Sequence, residues 1–429
     1  MVEKIKAIDA YTVFDSRGFP TIECLMYLDG GHQGRAMVPS GASTGTFEAL
    51  ELRDRDPSKF GGKSVYQAIR NIKEVIQPVL LRNEVKSQHE LDDLLIELDG
   101  TENKSRLGAN AILAVSMAYA SSIASYRGLS LFESLPAKRD NYILPLPEIQ
   151  IFGGGAHSAG RIDIQDFMII CNGAGTLMEC YEMTFKVYQE AGKILKRENR
   201  LAGLADEGGY WPVFDSNEAV FQILTEAILQ AGLTPGREVS ISLDIAASEF
   251  YDKNQYHLKL DNRVLSSHEF SALLGSWLED YAICSIEDPF SEHDISSWRQ
   301  FTSAWSDKIQ IIGDDLFVTH RKRLENGIRD RLANSILIKL NQIGTVSETL
   351  ACIEDAINAG WRPVISARSG ETEDTFISHL AVATGAGQLK VGSFARSERM
   401  AKWNELLRIE RKLSDQAKFA NDYIQFPWQ

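Results

Sequence analysis

The sequence predicts a (β/α) barrel preceded by a smaller α+β domain. The main observation is a run of short β-rich segments alternating with helical ones, each β-rich segment ending in a polar residue followed by a loop. Residues 240–243 lead into Asp244, 282–286 into Glu287, 309–313 into Asp314, 335–338 into Lys339, 363–366 into Arg368 and 388–389 into Lys390. From Glu287 onward the spacing is about 25 residues, one strand plus one helix per unit, which implies a parallel sheet. Polar groups gathered at the ends of successive strands are where a barrel places its chemistry. A doubly wound sheet accepts the same pattern but does not bring six strand ends around one pocket. The length of 429 residues, enough for two domains or a barrel with an extension, agrees.

The first 140 residues have a different pattern. Residues 4–15, 21–28 and 32–38 alternate as strands, with turn signals at Gly18 to Pro20 and Asp29 to Gly31, an antiparallel meander. Helical periodicity follows over 64–83, 87–99 and 108–125. The last of these is the most hydrophobic stretch, but it is rich in Ala and Ser and interrupted by Asn110 and Tyr119, so it reads as a packed helix rather than a membrane span. Polar residues 138–142 mark the boundary, giving domains 1–139 and 140–429.

Hydrophobic residues make up 44% and charged residues 24%, an ordinary globular composition that excludes disordered and low-complexity classes. A net charge of −14 would repel nucleic acid and anionic lipid, so neither is expected as a partner. An acidic protein that handles a small anion must focus positive charge locally. Five cysteines, an odd number with no CxxC pair, point to a reducing compartment, and the charged start without an apolar run shows no signal peptide. The expected location is cytoplasmic.

Asp244, Glu287 and Asp314 lie at three strand ends and would point into one cavity of a barrel. Three carboxylates around a point repel unless a cation sits among them, so the economical reading is a hard divalent metal, Mg²⁺ first, against a bland reading as three loop acids. No Cys or His lies in these motifs, which argues against zinc. Lys339 and Lys390, flanked by apolar residues on later strands, read either as a general base whose pKa falls near a dication or as structural ion-pair partners. The Arg368 guanidinium, followed by Ser369 and Gly370, can fork onto a phosphate or belong to a plain turn. Glu207, in the acidic glycine loop 206–209, is a candidate acid whose pKa neighbouring carboxylates would raise. Glycine-rich loops 40–45 and 153–157 look like lids. Together these parts describe proton abstraction beside a carboxylate, a pattern already well described for enolase-superfamily sites.

Through Asp15-Ser16-Arg17-Gly18, Val38 to Gly45, Asp99 to Lys104, Asp206-Glu207-Gly208-Gly209, Ser285 to Phe290, Asp314-Asp315-Leu316, Lys339 to Gly344 and Arg368 to Asp374, the chain resembles the enolase (phosphopyruvate hydratase) family over nearly its whole length. The resemblance implies an N-terminal α+β domain and a modified (β/α)8 TIM barrel, a homodimer or larger ring, and a lyase of glycolysis. It implies dehydration of 2-phosphoglycerate to phosphoenolpyruvate with two Mg²⁺. By motif, Asp244, Glu287 and Asp314 would hold one metal and Ser40 would help with the second. Lys339 would take the C2 proton, Glu207 would assist departure of the C3 hydroxyl, and Lys390 would pair with the substrate carboxylate. Arg368 and Ser369 would bind phosphate, with His157 beside it.

The chain departs from the family pattern at named positions. Ala367 stands where the family has His, and Asp166 where it has Glu. Phe19 and Gly153 replace Asn, Ala205 precedes the Asp-Glu-Gly-Gly run and Tyr210-Trp211 follows it. The first two changes fall in the substrate-binding set, on the side where the hydroxyl leaves, and a 1 Å misplacement there costs roughly a hundredfold in rate. Two further readings therefore stand beside a genuine enolase. One is a specialised homologue acting on a phosphonate-type carboxylic acid, as carboxyphosphonoenolpyruvate synthases do. The other is a non-catalytic binding protein, which has no need of three mutually repelling acids.

Overall fold

The computed structural model describes residues 4–42, 45–137, 141–158 and 160–427. Ser43 and Thr44 of the first predicted lid, and 138–140 of the predicted boundary, lie outside the described residues. The meander forms as expected from β1 (Ile5–Phe14), β2 (Pro20–Leu28) and β3 (Gln33–Met37), antiparallel in the order β1-β2-β3. The Ala- and Ser-rich helix Ala109–Arg127 packs against β2 and β3 and is buried nearly all round, which explains its composition. Small residues let it approach closely: a Cβ on Gly34 of β3 would lie 2.2 Å from both the Ala118 carbonyl oxygen and the Ser122 nitrogen. Its polar atoms are spent on neighbours. Asn110 bonds both backbone groups of Leu52 (3.0 and 3.1 Å), and Ser116 Oγ donates to Asp92 (2.6 Å) and accepts from Val346 N (3.0 Å).

The helix expected over 64–83 is interrupted. Tyr66–Arg70 and Gln77–Arg82 are α-helical, but Asn71–Ile76 between them is a π-helix. Pro78 has no N–H to close on the carbonyl four residues back and its ring crowds that carbonyl, so a wider turn here relieves the ladder.

Eight strands close the barrel: β4 (Leu146–Gly153), β5 (Asp166–Ile170), β6 (Ser240–Asp244), β7 (Ile283–Glu287), β8 (Gln310–Gly313), β9 (Ser335–Ile338), β10 (Arg362–Ser366) and β11 (Gln388–Ser393), with β11 pairing back to β4. The expected all-parallel sheet is corrected at one strand: β5 runs antiparallel to both β4 and β6. The β4–β5 connection holds only a short 3₁₀ turn, Gly155–Ser158, and a parallel crossover needs a helix-sized link. Two helices, Leu177–Arg197 and Asn217–Gln230, then precede β6 and the parallel order continues. Reversal brings the start of β5 to the end where its neighbours finish, so Asp166 lies opposite Asp244.

Side-chain alternation decides what faces the barrel lumen. Gln310, Ser335 and Gln388 bond one another deep inside, for instance Gln310 Nε2 to Gln388 Oε1 at 2.7 Å. Ile312, Leu337 and Val364 form a separate apolar cluster above them. Two residues further along their strands come Asp244 after Ser242, Glu287 after Ser285, Lys339 after Leu337 and Lys390 after Gln388, so these charges share the lumen face. Lys390 is inside β11 rather than after it, because the strand runs on to Ser393.

Gly34→Ala should cost about 1–3 kcal/mol, because its Cβ meets helix backbone that cannot give way locally. A lowered denaturant midpoint in the N-terminal domain is the expected reading; an unchanged midpoint would show that β3 and the helix can separate freely.

Candidate active site

Charges from seven barrel strands or their ends and two loops meet at one end of the barrel, around a cavity lined by His157, Gln165, Asp166, Glu207, Asp244, Lys339, Ala367, Arg368, Ser369 and Lys390. The space left is about 20 Å³, room for a water rather than a three-carbon phosphate. Opposite charges fill the rest. Lys390 Nζ donates to Asp244 (2.9 Å) and Glu287 (2.7 Å), and Lys339 Nζ reaches Asp314 at 2.5 Å. Gln165 donates to Asp244 (3.0 Å) and Gln342 to Asp314 (2.8 Å).

Burial works against both ammoniums, yet the acids outweigh it: Asp244 and Glu287 push Lys390 well above the usual lysine range, and Asp314 raises Lys339. Both lysines are therefore held protonated here by their ion pairs with these acids. Burial and the nearby Asp244 push Glu287 well above the usual carboxylate range, and its Oε1 is buried without a hydrogen-bond partner. An oxygen-only donor set with an orphaned carboxylate oxygen fits a hard divalent cation. Two other groupings among the described residues, His157–Asp166–Glu207 and Asp288–Asp314–Asp315, the second sharing Asp314, place ligand atoms within 4.8 Å of one another. The ammoniums sit on Asp244, Glu287 and Asp314 instead.

Ser40, on the first glycine-rich loop, lies beside Glu51 and Arg53. Its Oγ donates to Glu51 (3.0 Å) and accepts from Arg53 (3.1 Å), and among the described residues of the loop it is Ala42 that lines the cavity. The Ser40 backbone pairs with Gly370 in both directions (2.8 and 2.9 Å), tying the N-terminal domain to the loop after β10. Arg368 finds a carboxylate where a phosphate was expected. Its Nη1 and Nη2 donate to Glu48 (3.1 and 3.2 Å), Asn341 accepts a further bond (3.0 Å), and Gly41 lies so close that a Cβ there would be 1.9 Å from Nη2. Ser369 Oγ accepts from Arg17 (3.2 Å).

Glu207 sits at the tip of a hairpin, Leu201–Leu204 with Tyr210–Pro212, whose Gly208 takes φ 93°. The expectation of a raised Glu207 pKa is corrected. Burial raises it, but Arg399 (3.9 Å) and His157 (4.0 Å) outweigh burial and hold it below the usual carboxylate range. The proton is held next door. Burial alone would lower His157, but Asp166, 3.0 Å from its Nδ1, and Glu207 raise it to about 9. Asp166 is raised by burial, against the pull of His157.

Gln150 was not singled out in the sequence. Its Nε2 donates to Asp166 Oδ1 and its Oε1 accepts from Gly209 N (2.8 Å), so a long amide meets the short acid and links it to the Glu207 loop. Glu48, Gln165, Asn341, Gln342, Asp288 and Arg399 were missed as well. Asp288, Asn341 and Gln342 lie inside the motifs quoted above and could have been found there, whereas Arg399, which donates to the Arg368 and Ser369 carbonyls (both 2.6 Å), has no local signature.

Because its folded pKa lies above the ordinary 6.5, His157 contributes stability that is complete below pH 6.5 and is lost as pH rises through about 9. NMR of the His157 ring should titrate near that value, and Asp166→Asn should move it back toward 6.5; an unshifted titration would remove the pairing. Lengthening the acid alone, Asp166→Glu, should drive it into Gln150 and lower activity about tenfold or more. Adding Gln150→Asn should recover most of that loss in a turnover assay.

Comparison with known proteins agrees along the chain. Residues 5–135 match the family model for the enolase N-terminal domain, and residues 141–426 match that for the enolase C-terminal TIM barrel domain. Enolase 1 of Desulfitobacterium hafniense (strain Y51) is 50% identical over 419 residues, covering 97% of this chain and 95% of that protein. The chain belongs to the enolase family.

Proposed function

We propose that the chain dehydrates 2-phosphoglycerate to phosphoenolpyruvate. The observation that carries this reading is that Lys339, Glu207, Lys390, Arg368 and Ser369 line one cavity in a member of the enolase family. Arg368 holds Glu48 in a fork that matches a phosphate, so the substrate phosphoryl group takes the place of that carboxylate. The substrate carboxylate lies toward Lys390. Once Asp314 is otherwise engaged, Lys339 releases its proton to water, and the neutral amine then accepts the C2 proton. The electron pair left on C2 forms the double bond to C3 as the C3–O bond breaks, and the hydroxyl leaves as water with a proton delivered through Glu207. Glu207 carries no proton of its own in this conformation, and His157, charged up to about pH 9 and 4.0 Å away, is the nearest store.

Asp244, Glu287 and Asp314 would hold Mg²⁺, which when bound supplies positive charge to the substrate carboxylate and the enolate. Two ions per site, a cytoplasmic setting and a homodimer accompany the reading; no helix among the described residues is long and apolar enough to cross a membrane. Ala367 is buried and lines the cavity, so the position of the family His is filled by a methyl group. No observation favours the phosphonate or non-catalytic readings.

An ultraviolet assay of enolpyruvate formation tests the proposal. Turnover with Mg²⁺ should vanish with chelator, fall at least ~10³-fold in Lys339→Ala and fall ~10²–10⁴-fold in Glu207→Gln. Unchanged turnover in Lys339→Ala would overturn the assignment of the base.

A further inference from the structure

A second cavity, about 460 Å³, opens between the N-terminal helices and the barrel helix Val346–Asn358, and none of its lining residues is shared with the active site. That size is in the range that small-molecule ligands occupy. Its floor is apolar, with Ile123, Leu135 and Leu350. Tyr119 lies in its wall, 1% exposed, with a hydroxyl that has no hydrogen-bond partner among the described residues. A buried phenol left in that state is costly and calls for an acceptor.

The charges around it are mostly positive, Lys86, Arg127 and Arg321 against Glu354. Lys86 and Arg127 form no ion pair with an acid among the described residues, and Arg127 is steadied by the Ser134 carbonyl at 3.0 Å. The positive end of the twelve-residue helix Gln88–Asp99 opens on the same rim. Arg321 adds a third cation, tied to Asp355 at 2.5 Å, and Glu354 is the one acid among the lining residues. In a chain of net charge −14, such a basic rim over an apolar floor is selective for an amphipathic anion.

We propose that this cleft binds a small amphipathic anion, an apolar or aromatic body carrying a single carboxylate, sulfonate or phosphate, with the head at Lys86 and Arg127 and the body against Ile123 and Leu350. The cleft lies on the seam between the domains, where Ser347 N donates to Asp92 (2.8 Å) and Val346 N to Ser116 (3.0 Å), so an occupant braces the N-terminal domain against the helix that follows the Lys339 loop.

The test uses the full chain with anilinonaphthalene sulfonate as the probe. Its fluorescence should rise saturably at one site per chain, decanoate should compete, and 2-phosphoglycerate with Mg²⁺ should not displace it. Ala351→Trp, which fills the cleft from the partly exposed face of its helix, should abolish the signal. Lys86→Glu should weaken it about fivefold with an unchanged melting temperature, and it decides the matter alone if the tryptophan variant fails to fold. Binding unchanged in both variants, displacement by 2-phosphoglycerate, or loss of binding as the chain self-associates would each overturn the proposal, the last by assigning the cleft to a second copy.

Discussion

The mouth of the barrel depends on charge neutralisation without water. Asp244, Glu287 and Asp314 end adjacent strands whose alternation turns all three inward, and in a nearly dry enclosure their mutual repulsion would oppose folding. Lys390 between two of them and Lys339 on the third make the arrangement tenable; Gln342 takes the Asp314 oxygen that Lys339 leaves, and Gln165 shares with Lys390 the same oxygen of Asp244. The same pairing makes the site a place of exchange. Most charged groups that a substrate or cation would engage are already paired with a protein group of the sign it replaces, and Glu287 Oε1 is left without a partner, so ligands enter largely by substitution rather than by filling a void.

The N-terminal domain completes this arrangement rather than decorating it. Gly370 lies under Asp15, Arg17 and Ser40, so closely that a Cβ would come within 2.3 Å of Asp15 Oδ2. Ser16 N donates to the Glu371 carbonyl (2.7 Å), and Arg17 reaches both Ser369 and the Ser40 carbonyl (3.0 Å). The loop that presents Arg368 and Ser369 is therefore shaped from both sides, by β10 beneath and by the first turn of the meander above.

Much of this was legible in the chain. Strand ends carrying Asp244, Glu287, Asp314 and Lys339 were readable because each follows a short apolar run, and the meander because its alternation is clean. Three things were hidden for physical reasons. The antiparallel β5 is decided by the length of a connection, not by the strand's own residues, which read as apolar in either direction. The π-helix follows from one proline inside an otherwise regular period. The depressed Glu207 pKa comes from Arg399, far along the sequence and brought near only by the fold, while the nearby acids visible in sequence pointed the other way. Gln150 was obscured for a related reason: an amide in an apolar strand has no chemistry until the fold brings Asp166 within hydrogen-bond reach.

Gly41 touches the Arg368 guanidinium with no room for a side chain between them. A phosphoryl group held by that guanidinium is thus walled on one side by loop backbone. On the proposed reading, the Gly41 backbone therefore forms part of the wall of the phosphoryl pocket, and the loop and the guanidinium define that side together. Arg53, which donates to Ser40 Oγ (3.1 Å), supports that wall from behind although it stands outside the reacting atoms.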